Sequence, residues 1–141
     1  MSRAVPRLVL PLPPSVNHMF VHRQGPHGRR RALARPAREW RAVAEARVAA
    51  WRAAVGWPGP AADKLVVRFW IYWPDRRRRD ADNLLKLSQD ALVAGGVVAD
   101  DRWILPQVVD FDVDPAAPRL ELLIADWPLR RGPGGPEGGA A

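Results

Sequence analysis

Asp80 and Asp82 stand two residues apart, directly behind an unbroken run of four arginines, in the stretch PDRRRRDADNLLK from Pro74 to Lys86. An Asp-x-Asp pair offers hard oxygen ligands to a divalent cation, and Arg76, Arg77, Arg78 and Arg79 offer guanidiniums that neutralise phosphates. Two carboxylates this close repel each other unless a cation or neighbouring guanidiniums hold them, so a metal site gives their proximity a physical reason. The segment has a plainer reading too: Asp82 as a helix N-cap worth about 1 kcal/mol, with Asp80 paired to an arginine in a solvated, charged loop.

A second acidic pair, Asp100 and Asp101, lies one short loop beyond the helix that Asp82 opens. A chain folding back there brings the pair near Asp80 and makes a three-carboxylate set of the kind Mg²⁺ or Mn²⁺ accepts, whereas a solvated turn uses aspartate equally well. Lys86 is one helical turn past Asp82 and shares its face. Its ammonium can stabilise charge in phosphoryl chemistry or serve as an ordinary (i, i+4) surface partner. Arg29, Arg30 and Arg31 form a second basic patch. His18, His22 and His27 lack a carboxylate at ligand spacing, Asp110, Asp112 and Asp114 read as the wet face of a strand, and Trp103, beside Asp101, is placed to stack on a base.

These groups need a scaffold, and 141 residues suffice for one domain with a real core. Twenty-two basic against fifteen acidic side chains give a formal charge of +7, a balance that favours a polyanionic partner, nucleic acid above all. Arginine outnumbers lysine twenty to two, a bias that a GC-rich coding sequence also produces, so Lys64 and Lys86 are the conspicuous cations. The absence of cysteine excludes disulfides and thiolate chemistry. No apolar run approaches the roughly twenty residues of a membrane span, and the N-terminus carries no signal-peptide core, so a soluble intracellular protein is expected.

Arg7 to Leu12 reads as a strand stopped by Pro13 and Pro14, with Ser15 and Asn17 in the following loop. His18 to Arg35 is basic and aperiodic, hence a loop. Trp40, Val43, Ala44, Arg47, Val48, Trp51 and Val55 recur at helical spacing and predict a helix over about Ala37–Val55, closed by Gly56. Leu65–Trp73 (LVVRFWIYW) is a central strand. A second helix follows from Asp82 to Gly95, with Asp82, Lys86 and Asp90 as its polar stripe. Gln107–Asp114 alternates as a half-exposed strand with Val109, Phe111 and Val113 inward, and Leu120–Ile124 is the last strand. The order β-α-β-α-β-β implies an α/β (α+β) fold: one compact domain over 1–128, with a mixed sheet of about four strands and two helices. Residues 129–141 are too rich in glycine and proline to fold.

PPSVN at Pro13–Asn17, PDRRRRDADNLLK, Asp90-Ala91-Leu92, Gly95 and Asp100-Asp101 occur in an order and spacing that resemble the RusA Holliday junction resolvases. That resemblance, over roughly Arg7–Trp127, implies a homodimeric, Mg²⁺-dependent endonuclease of the bacterial cytoplasm, nucleoid-associated and of host or prophage origin. It would cut two strands of a four-way DNA junction symmetrically. Asp80, Asp82 and Asp101 match its catalytic ligands, with Asp100 adjacent, and Lys86 and Arg79 match its essential basic positions. Asn17 and the two arginine clusters would contact DNA. Ala81, Val98 and Ala99 are smaller than is usual at those places. The rival readings are a noncatalytic basic DNA-binding protein, a nucleotide-sugar transferase, for which the chain is short, and a restriction-type nuclease, whose lysine would follow the acid by two residues rather than four.

Overall fold

A computed structural model describes residues 6–14, 20–26, 28–77, 79 and 81–124; Asn17, His18, His27, Arg78, Asp80 and the tail lie outside them. The described elements run β1 (Leu8–Leu10), β2 (Phe20–Gly25), β3 (Gly28–Leu33), α1 (Arg35–Val55), β4 (Leu65–Trp73), α2 (Ala81–Ala94), β5 (Ile104–Val113) and β6 (Arg119–Ile124), with a 3₁₀ turn at Asp101–Trp103 before β5. A four-stranded sheet of order β1-β6-β4-β5 and two helices give the expected mixed α+β architecture. One expectation is corrected: the basic segment read as a loop pairs with itself as the antiparallel hairpin β2–β3, closed by a turn at Gly25–Gly28. A segment dominated by polar and basic residues carries no period-two apolar signal, which is why alternation missed these strands.

α1 starts with Pro36 in its first turn and ends at Gly56 (φ 67°), whose N–H bonds to the Arg52 carbonyl. Its inner stripe is Ala37, Trp40, Ala44, Val48 and Trp51. The two buried indoles also tie it to the first strand: Trp40 Nε1 donates to Pro11 O at 2.8 Å and Trp51 Nε1 to Pro6 O at 2.9 Å. Val43, which shares the helical spacing, is instead exposed.

Register sets the core in rows. Leu8, Leu122 and Phe69 lie side by side, as do Leu10, Leu120 and Ile71, and all six are buried. The β5 members of those rows, Val108 and Phe111, are 41% and 67% exposed. Beyond Ile104, β5 is an edge strand whose residues are exposed almost to its end, so the inward face assigned to Phe111 and Val109 is an uncovered one. Strand alternation identifies a face; it cannot say whether anything lies on it. No helix among the described residues is long and apolar enough to cross a membrane.

The chain packs tightly against α1 just past the end of α2. An added Cβ at Gly95 would overlap Val48 Cγ1 and come within 2.7 Å of Val48 Cβ. Gly95→Ala is therefore expected to lower stability by about 1–3 kcal/mol through overpacking, read as a fall in the urea midpoint. Adding Val48→Ala in the same chain should return part of the loss, because it removes the overlapping methyls.

Candidate active site

The arginine loop is built on Asp75. Its Oδ1 accepts from the Arg77 backbone N–H at 3.0 Å, the Asx-turn expected of aspartate after a proline, and also holds Arg79 Nη2 at 2.7 Å. Arg79 Nη1 returns to the Asp75 carbonyl at 3.0 Å, and its guanidinium lies 5.2 Å from the Trp73 ring centroid. Arg79 is thus half-buried and fixed in direction, while Arg76 and Arg77 are exposed. Among the described residues Asp75 is the carboxylate that holds this loop, and the Pro-Asp dipeptide was the sequence signal for it; Asp80 lies outside them. The Arg77 N–H, followed by Arg79, holds the Asp75 carboxyl below the ordinary aspartate value of 3.8.

α2 presents Asp82, Lys86 and Asp90 on one stripe, opposite the buried Leu84, Leu87, Ser88, Ala91 and Leu92. Asp82 is the second residue of the helix rather than the residue before it, in the first turn, where the helix dipole favours a carboxylate. Asp82 and Lys86 are both exposed.

The loop that delivers Asp100 and Asp101 is pinned from behind. Val97 and Val98 are buried, Ala61 brackets them with 2.9 Å hydrogen bonds to Val97 O and from Ala99 N, and Trp57 Nε1 donates to Val97 O at 3.0 Å. Asp100 caps the 3₁₀ turn by accepting from the Arg102 N–H at 2.9 Å, the main reason its carboxyl is also held below 3.8. Asp100 and Asp101 line a cavity of about 380 Å³ with Asp90 and Arg41. Asp90, which the sequence places on a polar stripe and in the Asp90-Ala91-Leu92 motif but not among the candidate ligands, therefore joins the acidic pair; its (i, i+4) step from Lys86 was the available signal.

The pair sits at the opposite end of α2 from Asp82. β5 begins beside Leu65, at the start of β4, whereas α2 begins past Trp73, at its end. Asp82 and Asp90 are eight residues apart, about 12 Å along the helix axis. Among the described residues no three Asp, Glu or His side chains converge to hold a metal ion. Oxygen donors of this kind suit Mg²⁺ chemically, and Asp80, the sequence neighbour of Asp82, lies outside the described residues. Trp103 packs against the core with the Arg102 guanidinium 4.8 Å from its ring centroid, so it is not a free stacking platform. A second cavity of about 380 Å³ lies where β4 and β5 end, lined by Arg76, Arg77, Arg79 and the exposed Phe111.

Residues 11–125 match a family model described as endodeoxyribonuclease RusA. The chain is 33% identical over 120 residues to a crossover junction endodeoxyribonuclease of Enterobacteria phage 82, spanning 84% of this chain and 92% of that protein. Proteins of the same description from Shigella sonnei (strain Ss046) and Escherichia coli (strain K12) are 32% identical over the same shares.

Because the Asp75 carboxyl titrates below its unfolded value, its hold on the loop is complete above pH 3.8 and is lost as pH falls through the lower folded value. At neutral pH the loop of Asp75→Ala should open locally. Trypsin is expected to cut between Arg76 and Arg79 several times faster in that variant, with an unchanged urea midpoint. Equal cutting rates would show that Asp75 does not brace the loop.

Proposed function

The chain belongs to the RusA endodeoxyribonuclease family, and from that premise we propose that it resolves four-way DNA junctions by paired, symmetric nicks as a Mg²⁺-dependent homodimer. The observation that carries the reading is a continuous one: exposed Arg76 and Arg77 lead through the braced Arg79 into the helix turn that bears Asp82 and Lys86. A polyanion grip and a candidate hydrolytic group thereby lie within a few residues of each other along the chain.

In this reading Arg76, Arg77 and Arg78, with Asn17 and Arg29–Arg31, neutralise backbone phosphates. Asp80, Asp82 and Asp101, with Asp100 beside it, hold Mg²⁺ or Mn²⁺. The bound ion would supply a polarised phosphoryl oxygen and a more acidic water. Lys86 places its ammonium one turn from Asp82 and stabilises the charge that develops on the phosphoryl oxygens. Arg79, already fixed by Asp75, adds positive charge without having to be ordered during the reaction.

A homodimer also answers the separation of the carboxylates. β5 runs parallel to β4, so its first residue lies at the Asp100–Asp101 end and its last, Val113, lies beside Trp73 and the arginine loop. A second copy packed two-fold and antiparallel across β5 brings its own acidic pair to the Asp82 end of the first, and the reverse. The occupant suits the surface, because Val108, Val109 and Phe111 are exposed apolar residues on that strand. Side-chain packing would hold it more than ladder hydrogen bonds, since Pro106 lacks an N–H and the register slips opposite Phe69 and Trp70. Two such centres related by the dyad match the two like strands of a junction.

Purified protein is expected to cut a synthetic four-way junction symmetrically in Mg²⁺ and to spare the matching linear duplex. Binding without Mg²⁺-dependent nicking would instead favour the noncatalytic reading. Asp82→Asn should bind junctions yet cut them at least about a hundredfold more slowly, as should Asp101→Asn. Mixed and allowed to exchange subunits, these two inactive variants should regain nicking, because one centre of the mixed dimer is then intact. A mixture as inactive as its parts would place each centre within a single copy.

A further inference from the structure

We propose that the β2–β3 hairpin is a DNA-reading arm, a two-stranded ribbon that lies in the major groove of a duplex arm flanking the crossover. The inference rests on the junction reading and adds to it which segment engages the flanking duplex, and in which groove.

The ribbon is unpaired with the rest of the fold: among the described residues β2 and β3 form their own sheet and share no strand with the four-stranded one. A lone two-stranded hairpin is marginal in water. Its sequence makes matters worse for the free protein, because Phe20–Leu33 contains four arginines and no acidic residue, and the register sets Arg23 directly opposite Arg30. Like charges across an antiparallel ladder destabilise it, and a surrounding polyanion removes that repulsion. The arrangement is therefore one that DNA would stabilise.

Its root is fixed at a useful place. β1 and β4 both pair antiparallel with β6, and Leu10 and Ile71 share the partner Leu120. The chain leaving β1 toward the hairpin and the chain leaving β4 toward Arg76 thus depart from the same end of the sheet. On its return the hairpin is anchored by Leu33, which packs on the core and whose carbonyl accepts from Arg38 Nη1 at 2.9 Å. The arm springs from the end of the fold that carries the arginine loop.

Its dimensions select the groove. Six residues per strand reach about 20 Å, about six base-pair steps of 3.4 Å. A two-stranded ribbon fits the major groove, about 12 Å wide, and not the minor groove at about 6 Å.

The test is dimethyl sulfate methylation of guanine N7, a major-groove atom, on a junction and on a linear duplex bound by the full-length protein in EDTA. The wild type should protect N7 within about six base pairs of the crossover. The triple variant Arg29→Gln/Arg30→Gln/Arg31→Gln should lose that protection, and its log–log salt slope should fall by about 0.9 for each phosphate that is no longer neutralised. The matching triple Arg→Lys variant should keep the slope, which separates charge loss from misfolding. Unprotected N7 in a bound wild-type complex, or an unchanged slope in the glutamine variant, overturns the inference. The junction reading fails separately, if the wild type neither prefers nor cuts junctions, and N7 protection on the linear duplex still decides the arm.

Discussion

Parallel neighbours cannot be joined by a tight turn, and the pairing of β4 with β5 obliges the chain to cross the sheet and come back. α2 is that crossing. Its start inherits the end of β4, with the Asp75-braced arginines and Asp82, and its finish hands Asp90 and the Asp100–Asp101 pair to the start of β5. The distribution of charge follows from this one connection. A hairpin between two adjacent strands would have put both acidic clusters at one end.

The same pairing leaves β5 at the rim. α1 and α2 bury the faces of β1, β6 and β4, and the rows that hold Phe69 and Ile71 continue outward to Val108 and Phe111, which are exposed. Pro106 and the register slip discourage strand addition along that edge, so its hydrophobicity is suited to side-chain packing against a surface of similar chemistry. The open face on the other side of the sheet is treated differently. Arg7 stacks over Trp70 at 3.6 Å and Arg119 over Tyr72 at 4.0 Å, with Glu121 bridging the two arginines at 3.2 and 2.8 Å. Those aromatic rings are covered from within the chain; the β5 side chains are not.

Restraint and exposure are divided among the basic groups in a way that suits DNA handling. Arg79 is committed to Asp75 and Trp73, whereas Arg76, Arg77 and Lys86 are exposed. In a chain with twenty arginines and two lysines, a lysine on the stripe of Asp82 and Asp90 stands out from the compositional background. The acidic partners Asp75 and Asp100 are oriented by the backbone itself, through the N–H groups of Arg77 and Arg102, which hold both carboxyls below the ordinary aspartate value.

Much of the fold was legible in the sequence because it is written locally. Apolar spacing and the Pro36 and Gly56 punctuation located α1, the β-branched and aromatic run LVVRFWIYW coincided with β4, and the acidic and basic clusters were visible as clusters along with the family they resemble. The hairpin was not, since strands dominated by polar and basic residues leave no periodic trace, and neither was Asp75 as the loop's anchor, since one aspartate side chain competes among several. What the sequence determined by itself was which residues are capable of the chemistry and which short elements carry them. Only the tertiary structure decided at which end of α2 each carboxylate stands and which strand is left uncovered. Both depend on pairing between segments some forty residues apart, as Leu65 is from Ile104, and no local pattern encodes that choice of neighbour.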